Sequence, residues 1–338
     1  MNLTEEKYSK YALVREMMDT ITVVKNFNSE QTKDVAEIIK SVGKLLLTGE
    51  GSSRIFPAKN TIRKALTMGL DLCIATDGSR QASQYDLLKF AVFCASNSGR
   101  TKEVVLLAKK LSELGNKYHF ALSANKGTLL GEACVETFVL TCGWEQAVAA
   151  TKSVIEQALF YESILAHIAN KNDADIYPEL AQKIETALTL PIDQSIIETV
   201  IEAPTIYFAG YNDGIAEELT LKTNEITRKK SDFLEGTYAV HGIEEVMDEN
   251  DIVFVIDPID DEIEKFQDVL VKGVGLKVVA IANRETPFTT IVVPDAGKTN
   301  PYIYLSAGWN LLVEIGLALN INLDKPERAR KVGNEFIG

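Results

Sequence analysis

A chain of 338 residues can bury one large core or two moderate ones, and 46% apolar with 25% charged residues is the profile of a soluble globular protein. A net charge of −13 argues against a surface built for nucleic acid or anionic membrane, but not against a local site for an anion. Four cysteines in no zinc-like spacing and only three histidines lead us to expect reduced thiols, no metal, no cofactor and a cytoplasmic setting.

In chain order, the spacing predicts an amphipathic helix over 5–27, a second over 30–41 and a buried strand over 44–48. That strand runs into Gly49-Glu50-Gly51-Ser52-Ser53-Arg54, and a helix continues to about Met68. A short strand over 71–75 and an apolar strand over 90–93 follow, then a helix over 101–114 and strands over 118–122 and 136–140. Residues 144–202 read as helices over 147–169, 177–188 and 192–202. A second alternating half has strands over 205–210, 252–256, 277–281 and 290–293, with helices over 214–229, 260–271 and 303–319. No apolar run approaches the roughly 20 residues of a membrane span, and the first residues carry no secretory pattern. Alternation of this kind predicts an α/β fold with parallel sheets covered on both faces, and ligands at the carboxyl ends of the strands.

Cys94-Ala95-Ser96-Asn97-Ser98-Gly99-Arg100-Thr101 lies on one such strand-to-helix turn. A helix N-terminus offers unpaired N–H groups and partial positive charge. Ser96, Ser98 and Thr101 add hydroxyls, and Gly99 permits close approach. The turn reads as a phosphate cradle or as an ordinary Ser/Thr-rich helix cap. Gly51-Ser52-Ser53 is a second turn of the same design. The small residues from Glu145 through Val148, Ala149 and Ala150 to Lys152 open a predicted helix, fitted either to a ligand or to tight packing. Glu218, Lys222 and Glu225 share a helical face, as a proton shuttle or as a solvated ion-pair face. His241 lies in a loop-like run.

Taken together, these motifs resemble the SIS-domain (sugar isomerase) family, over about residues 40–338. The likeness is strongest to the isomerase half of glucosamine-6-phosphate synthase and to stand-alone deaminase and deglycase relatives. The family's Ser-Gln-Ser-Gly-Glu-Thr loop resembles Ser96 to Thr101, and its Gly-Thr-Ser turn resembles Gly51 to Ser53. Its Val-Ala-Ser-Thr-Lys run resembles Val148 to Lys152, and its Glu-x-x-x-Lys-x-x-Glu helix resembles Glu218 to Glu225. The family histidine follows the second glutamate by sixteen residues, as His241 follows Glu225, and the lysine of its C-terminal tail falls on Lys331.

The resemblance implies two doubly wound SIS subdomains, each a parallel sheet flanked by helices. N-terminal helices would occupy 1–40, the phosphate-loop subdomain 41–170, bridging helices 171–203, and the base-bearing subdomain with its tail 204–338. Ser53, Ser96, Asn97, Ser98 and Thr101 would hold a substrate phosphate, and Gly51, Ser52, Glu145, Val148, Ala149 and Ala150 would line the sugar. Glu225 would move a proton between C1 and C2 through an enediol or enolamine, with Lys222 and Glu218 positioning it. His241 would assist ring opening from the neighbouring subunit of a homodimer, and Lys331 would lie over the open-chain sugar. The implied activity is aldose/ketose isomerisation or amino-sugar-phosphate deamination, with a fructosamine-6-phosphate deglycase or a non-catalytic sugar-phosphate regulator as alternatives. No glutaminase domain is expected, and the expected partners are a small sugar phosphate or similar anionic sugar and a second copy of the chain, not nucleic acid or membrane.

Two departures stand out. Thr237 to Ile243 lacks the glutamate and proline that the family places around its histidine, and Arg54 and Arg100 flank the two anion turns.

Overall fold

The computed structural model describes residues 1–171, 174–328 and 335–336. The chain begins with a short helix α1 (Glu6–Ser9) and α2 (Ala12–Lys25). A single helix over 5–27 was the expectation. The break arises because the Asp324 carboxylate accepts the Ala12 and Leu13 N–H groups at 2.7 and 2.8 Å, starting a new helix there.

A 3-10 turn leads into α3 (Lys33–Val42), which Gly43 ends at φ +70°. Strands and helices then alternate: β1 (Lys44–Gly49), α4 (Ile55–Thr67), β2 (Cys73–Gly78), α5 (Ser79–Ala82), β3 (Ala91–Ala95), α6 (Lys102–Glu113), β4 (His119–Ser123), α7 (Leu129–Ala133) and β5 (Glu136–Val139). Three helices follow, α8 (Lys152–Ile168), α9 (Tyr177–Thr189) and α10 (Gln194–Glu202). α8 starts five residues later than the spacing predicts, because Thr151 sits at φ −139° and ψ −78° and gives its N–H to the Glu145 carboxylate at 2.7 Å. Residues 147–151 are therefore a loop. The second alternation comprises β6 (Thr205–Gly210), α11 (Ile215–Ile226), β7 (Lys230–Glu235), β8 (Ile252–Ile256), α12 (Ile263–Phe266), β9 (Lys277–Ala282), β10 (Thr289–Val292) and α13 (Asn300–Ala318). α12 runs on as a π-helix over Gln267–Val274.

Two compact units result. One gathers the described residues of 22–146 and 150–178 together with 328, 335 and 336, and holds a five-stranded sheet in the order β2-β1-β3-β4-β5. Every pairing in it is parallel. β3 and β4 are buried along their whole length, as strands covered on both faces must be. Leu46, Val92, Val104, Leu107 and Ala121 form one side of its core. Phe93 packs among Phe120, Phe138 and Phe160, with ring centroids 5.2–5.8 Å away.

The other unit gathers residues 1–21, 147–149 and 179–327, with a parallel sheet in the order β10-β9-β8-β6-β7. Tyr207, Val253, Val255, Leu270 and Val278 belong to its core. Each such side chain removed from water contributes on the order of 1.5–3 kcal/mol. Both sheets follow one plan: the first strand lies second from one edge, the next takes that edge, and the remaining three extend the other way. This is the expected pair of doubly wound sheets. No helix among the described residues is long and apolar enough to cross a membrane.

Candidate active site

In the first unit, β1 and β3 are neighbours, with Thr48 beside Cys94. Parallel pairing brings the turns that follow them out at the same edge. Gly49 is required by close approach, because a Cβ there would stand 2.9 Å from the Ala95 carbonyl oxygen. Gly51 to Ser53 then form a 3-10 turn, with Gly51 at φ +54° and the Ser53 carbonyl accepting from Gln157 Nε2 at 2.5 Å.

The serine loop occupies the neighbouring turn, and its hydroxyls are organised by one another and by the backbone. Ser96 Oγ and Thr101 Oγ1 share a hydrogen bond of 2.8 Å, and Ser98 Oγ accepts the Arg100 N–H at 3.2 Å. Gly99 sits at φ +65°, where a Cβ would run into the Thr128 side chain. Thr128 in turn caps α7 by accepting the Gly131 N–H at 3.1 Å. The Asn97 carbonyl accepts from Ser123 Oγ and Asn125 Nδ2 at 3.2 and 2.9 Å, which fixes the middle of the loop. α6 begins at Lys102, so the orphan N–H groups of its first turn adjoin these hydroxyls.

Glu145 is fully buried and ties the loop to the start of α8. Its carboxylate accepts from Asn97 Nδ2 at 2.9 Å, from Thr151 N and Oγ1 at 2.7 and 3.2 Å, and from Ser153 Oγ at 2.5 Å. A carboxylate only accepts, so the Asn97 amide nitrogen must face it. That orientation leaves Asn97 Oδ1 buried without a hydrogen-bond partner among the described residues. Glu145 is expected from the sequence to line a sugar; the structure engages it in holding Asn97. Val148, Ala149 and Ala150 lie in the loop that replaces the first turn of the predicted helix.

The second unit holds the carboxylates. Gly214, at φ +88°, starts α11. Lys222 Nζ lies 3.2 Å from Glu218 Oε1 and 2.8 Å from Glu225 Oε2. Glu218 and Lys222 are fully buried, whereas the Glu225 side chain is 23% exposed. The group is thus not a solvated ion-pair face. α11 packs against the largely buried helix α13, whose Gly308 faces Leu219 so closely that a Cβ would collide with it. Burial alone would lower the Lys222 pKa, but the charges of Glu225 and Glu218 prevail and raise it well above the usual lysine range. One ammonium therefore serves two carboxylates, and only the second of them reaches solvent.

His241 follows a 3-10 turn and is exposed, with Nε2 3.1 Å from Lys265 Nζ. Among the described residues it has no ion pair or hydrogen bond shown with Glu218, Lys222 or Glu225. Lys331 lies outside the described residues.

Sequence reasoning did not anticipate where the chain's last described residues go. Thr101 and Glu335 form an antiparallel bridge, and the Phe336 N–H donates to the Arg100 carbonyl at 3.0 Å. The Phe336 ring packs on the core beneath α6, with Lys109 Nζ 4.1 Å from its centroid. Arg100 is exposed and lies 4.0 Å from the Glu335 carboxylate, so its observed neighbour is the tail. A lone aromatic in a polar terminal segment was the available signal.

Two doubly wound parallel sheets, one in each unit, define the class of fold: a two-subdomain α/β protein. No family model and no curated protein matches the chain. Among solved structures, the C-terminal domain of glucosamine-fructose-6-phosphate aminotransferase from Francisella tularensis matches at TM-score 0.78 and 17% identity, covering 95% of this chain and 100% of that one. Tagatose-6-phosphate ketose/aldose isomerase from Escherichia coli matches at 0.75 and 15% identity, covering 96% and 99%. Glucosamine-6-phosphate deaminase from Thermotoga maritima matches at 0.73 and 18%, covering 95% and 98%. The fold is the one the motifs led us to expect, that of the SIS-domain phosphosugar proteins.

Proposed function

We propose that this protein is a sugar-phosphate enzyme of the aldose/ketose isomerase or amino-sugar-phosphate deaminase type. The observation that carries the reading is the fully buried Glu218–Lys222 pair with Glu225 at its solvent edge. Burying such charges is costly. A regulator that only binds sugar phosphate has no use for a carboxylate held in this way, whereas a proton-transfer enzyme does.

The roles follow from the chemistry of each group. Ser53, Ser96, Ser98, Thr101 and the first N–H groups of α6 receive the phosphate. Asn97 Oδ1 is available to accept from a ligand hydroxyl. Glu225 takes the proton from one of C1 and C2, giving an enediol from a hydroxy sugar or an enolamine from an amino sugar, and returns it to the other carbon to form the isomer. Lys222 orients Glu225 and Glu218 orients Lys222. In a fructosamine 6-phosphate made from an amino acid the same proton shift would give an imine at C1, which water hydrolyses to the aldose phosphate and the free amino acid, and this makes the deglycase a sibling of this reading. Similarity to named isomerases and a named deaminase supports the reaction class. The free cysteines, Cys73, Cys94, Cys134 and Cys142, support a reducing compartment such as the cytoplasm.

Hexose, hexosamine and fructosamine 6-phosphates, assayed for isomer, ammonia and amino acid, separate these reactions. Ser98→Ala should weaken sugar-phosphate binding by about 1.5–3 kcal/mol, the worth of a hydrogen bond to a charged group, while the protein still folds. Unchanged affinity in titration calorimetry would move the phosphate away from this loop.

We further propose a two-fold homodimer in which His241 serves the partner's substrate. Its exposure supports that role. Mixing inactive Glu225→Gln and His241→Ala proteins should restore part of the activity through heterodimers. No recovery after verified subunit exchange would assign His241 to its own chain or to no site.

A further inference from the structure

The second unit repeats the strand plan of the first, so it too has a point where the strand order reverses, between β6 and β8. Carboxyl strand ends beside such a point are where doubly wound folds bind ligands. A cavity of about 420 Å³ opens there, in the size range of small-molecule sites. Asp257, Asp260, Asn283, Arg284, Asn300 and Tyr304 are among its lining residues. None of them belongs to the serine loop or to the Glu218–Lys222–Glu225 group.

The cavity has the marks of a built site. Asp257 follows β8 directly and adopts φ +47°, a left-handed conformation that costs energy in a residue with a Cβ and is held by its surroundings. Its N–H donates to the Ile281 carbonyl at 3.0 Å, and its carboxylate accepts from Arg284 Nη1 at 2.8 Å. Arg284 Nη2 donates to Asp260 Oδ1 at 2.7 Å and to the Pro258 carbonyl at 2.6 Å. Asn283 and Asn300 each donate to Asp295 Oδ1 at 2.9 Å. Hydrogen bonds from the Gly297 backbone, Asn283 and Asn300 lower the Asp295 pKa to about 2, so it is charged at neutral pH. Burial and the nearby Asp257 charge push the Tyr304 phenol up, so it remains a hydroxyl.

The balance of charge decides the ligand class. Two lining carboxylates, of Asp257 and Asp260, face one lining guanidinium, which already bridges both, while Asp295, bonded to the lining Asn283 and Asn300, adds a further negative charge that Lys183 partly offsets. A phosphate would have to displace an aspartate from Arg284, whereas an ammonium would be drawn in. Amide and phenol groups complement hydroxyls. We propose that this cavity binds a hydroxylated organic cation, an amino polyol without phosphate. It is the topological counterpart of the hydroxyl turn after β3, with the opposite charge preference.

Titration calorimetry on the full chain, with glucosamine, glucose and inorganic phosphate as probes, tests this. Glucosamine should bind the wild type at least tenfold more tightly than glucose, and phosphate should not compete with it. Asp260→Asn, at an exposed position where the amide oxygen still accepts from Arg284, should weaken glucosamine at least tenfold. Asp257→Asn/Asp260→Asn should abolish its binding, asparagine being tolerant of the left-handed conformation. Ser98→Ala should leave glucosamine binding intact, which separates this site from the proposed phosphate loop. No glucosamine binding to wild type at millimolar concentration, equal affinity in Asp260→Asn, or loss of binding in Ser98→Ala would overturn the proposal.

Discussion

Replacing Glu225 with Gln is expected to lower turnover by about 10²–10⁴-fold, the span for losing a general base. The substitution keeps the side chain's size and leaves Lys222 its second partner, Glu218, at 3.2 Å. A carboxamide cannot take a proton from carbon at neutral pH. Phosphate affinity should stay nearly unchanged, since the residues proposed to hold it belong to the other unit. The expected pattern is therefore a collapse of kcat with little change in substrate binding, read by steady-state kinetics beside calorimetry. Full turnover in the variant would remove Glu225 from the mechanism.

Replacing Lys222 with Met should cost about 3–5 kcal/mol of stability, the usual penalty when one member of a buried ion pair is removed. Methionine fills similar volume, so the loss is mainly electrostatic: the fully buried Glu218 is left without the ammonium beside it. The raised pKa of Lys222 fixes the pH window of its contribution. A group whose folded pKa is raised stabilises below its unfolded value and loses that stabilisation as pH rises through the folded one. The contribution is thus complete at neutral pH and declines only in alkali, above the ordinary lysine value of 10.5. Denaturant midpoints of wild type and variant at neutral pH measure the loss. A difference below about 1 kcal/mol would place Lys222 on an ordinary surface ion pair instead.

Much of the fold was legible because parallel strands buried on both faces read as apolar runs. Ala91–Ala95, Ile252–Ile256 and Lys277–Ala282 show this, and the first two are each followed by turn chemistry and a helical period. What failed was what tertiary contacts decide. Asp324 splits the first helix from some 310 residues away in sequence. Glu145 holds Thr151 out of helix although the composition of 147–151 suits one. β7 was not expected at all, because Lys230–Glu235 is a polar, half-exposed edge strand without an apolar run.

The candidate chemistry was legible to a similar depth. Residue types and spacing marked Ser96 to Thr101 and Glu218 to Glu225, but not whether the latter face was wet or buried. That depended on tertiary packing around α11, of which the close approach of Leu219 to Gly308 of α13 is one part. Nor does spacing show that Glu145 grips Asn97, or that Phe336 fastens the tail to Arg100, since both contacts join segments distant in sequence.

The central claim is that this protein moves a proton between adjacent carbons of a sugar phosphate. Incubating it in deuterium oxide with hexose, hexosamine and fructosamine 6-phosphates, and following C1 and C2 by proton NMR, tests that claim most directly. The account predicts deuterium at C1 or C2 of at least one of these with wild type and none with Glu225→Gln. Tight binding of a sugar phosphate with no exchange by wild type in any of them would contradict it, and would make the protein a sensor of the sugar it holds.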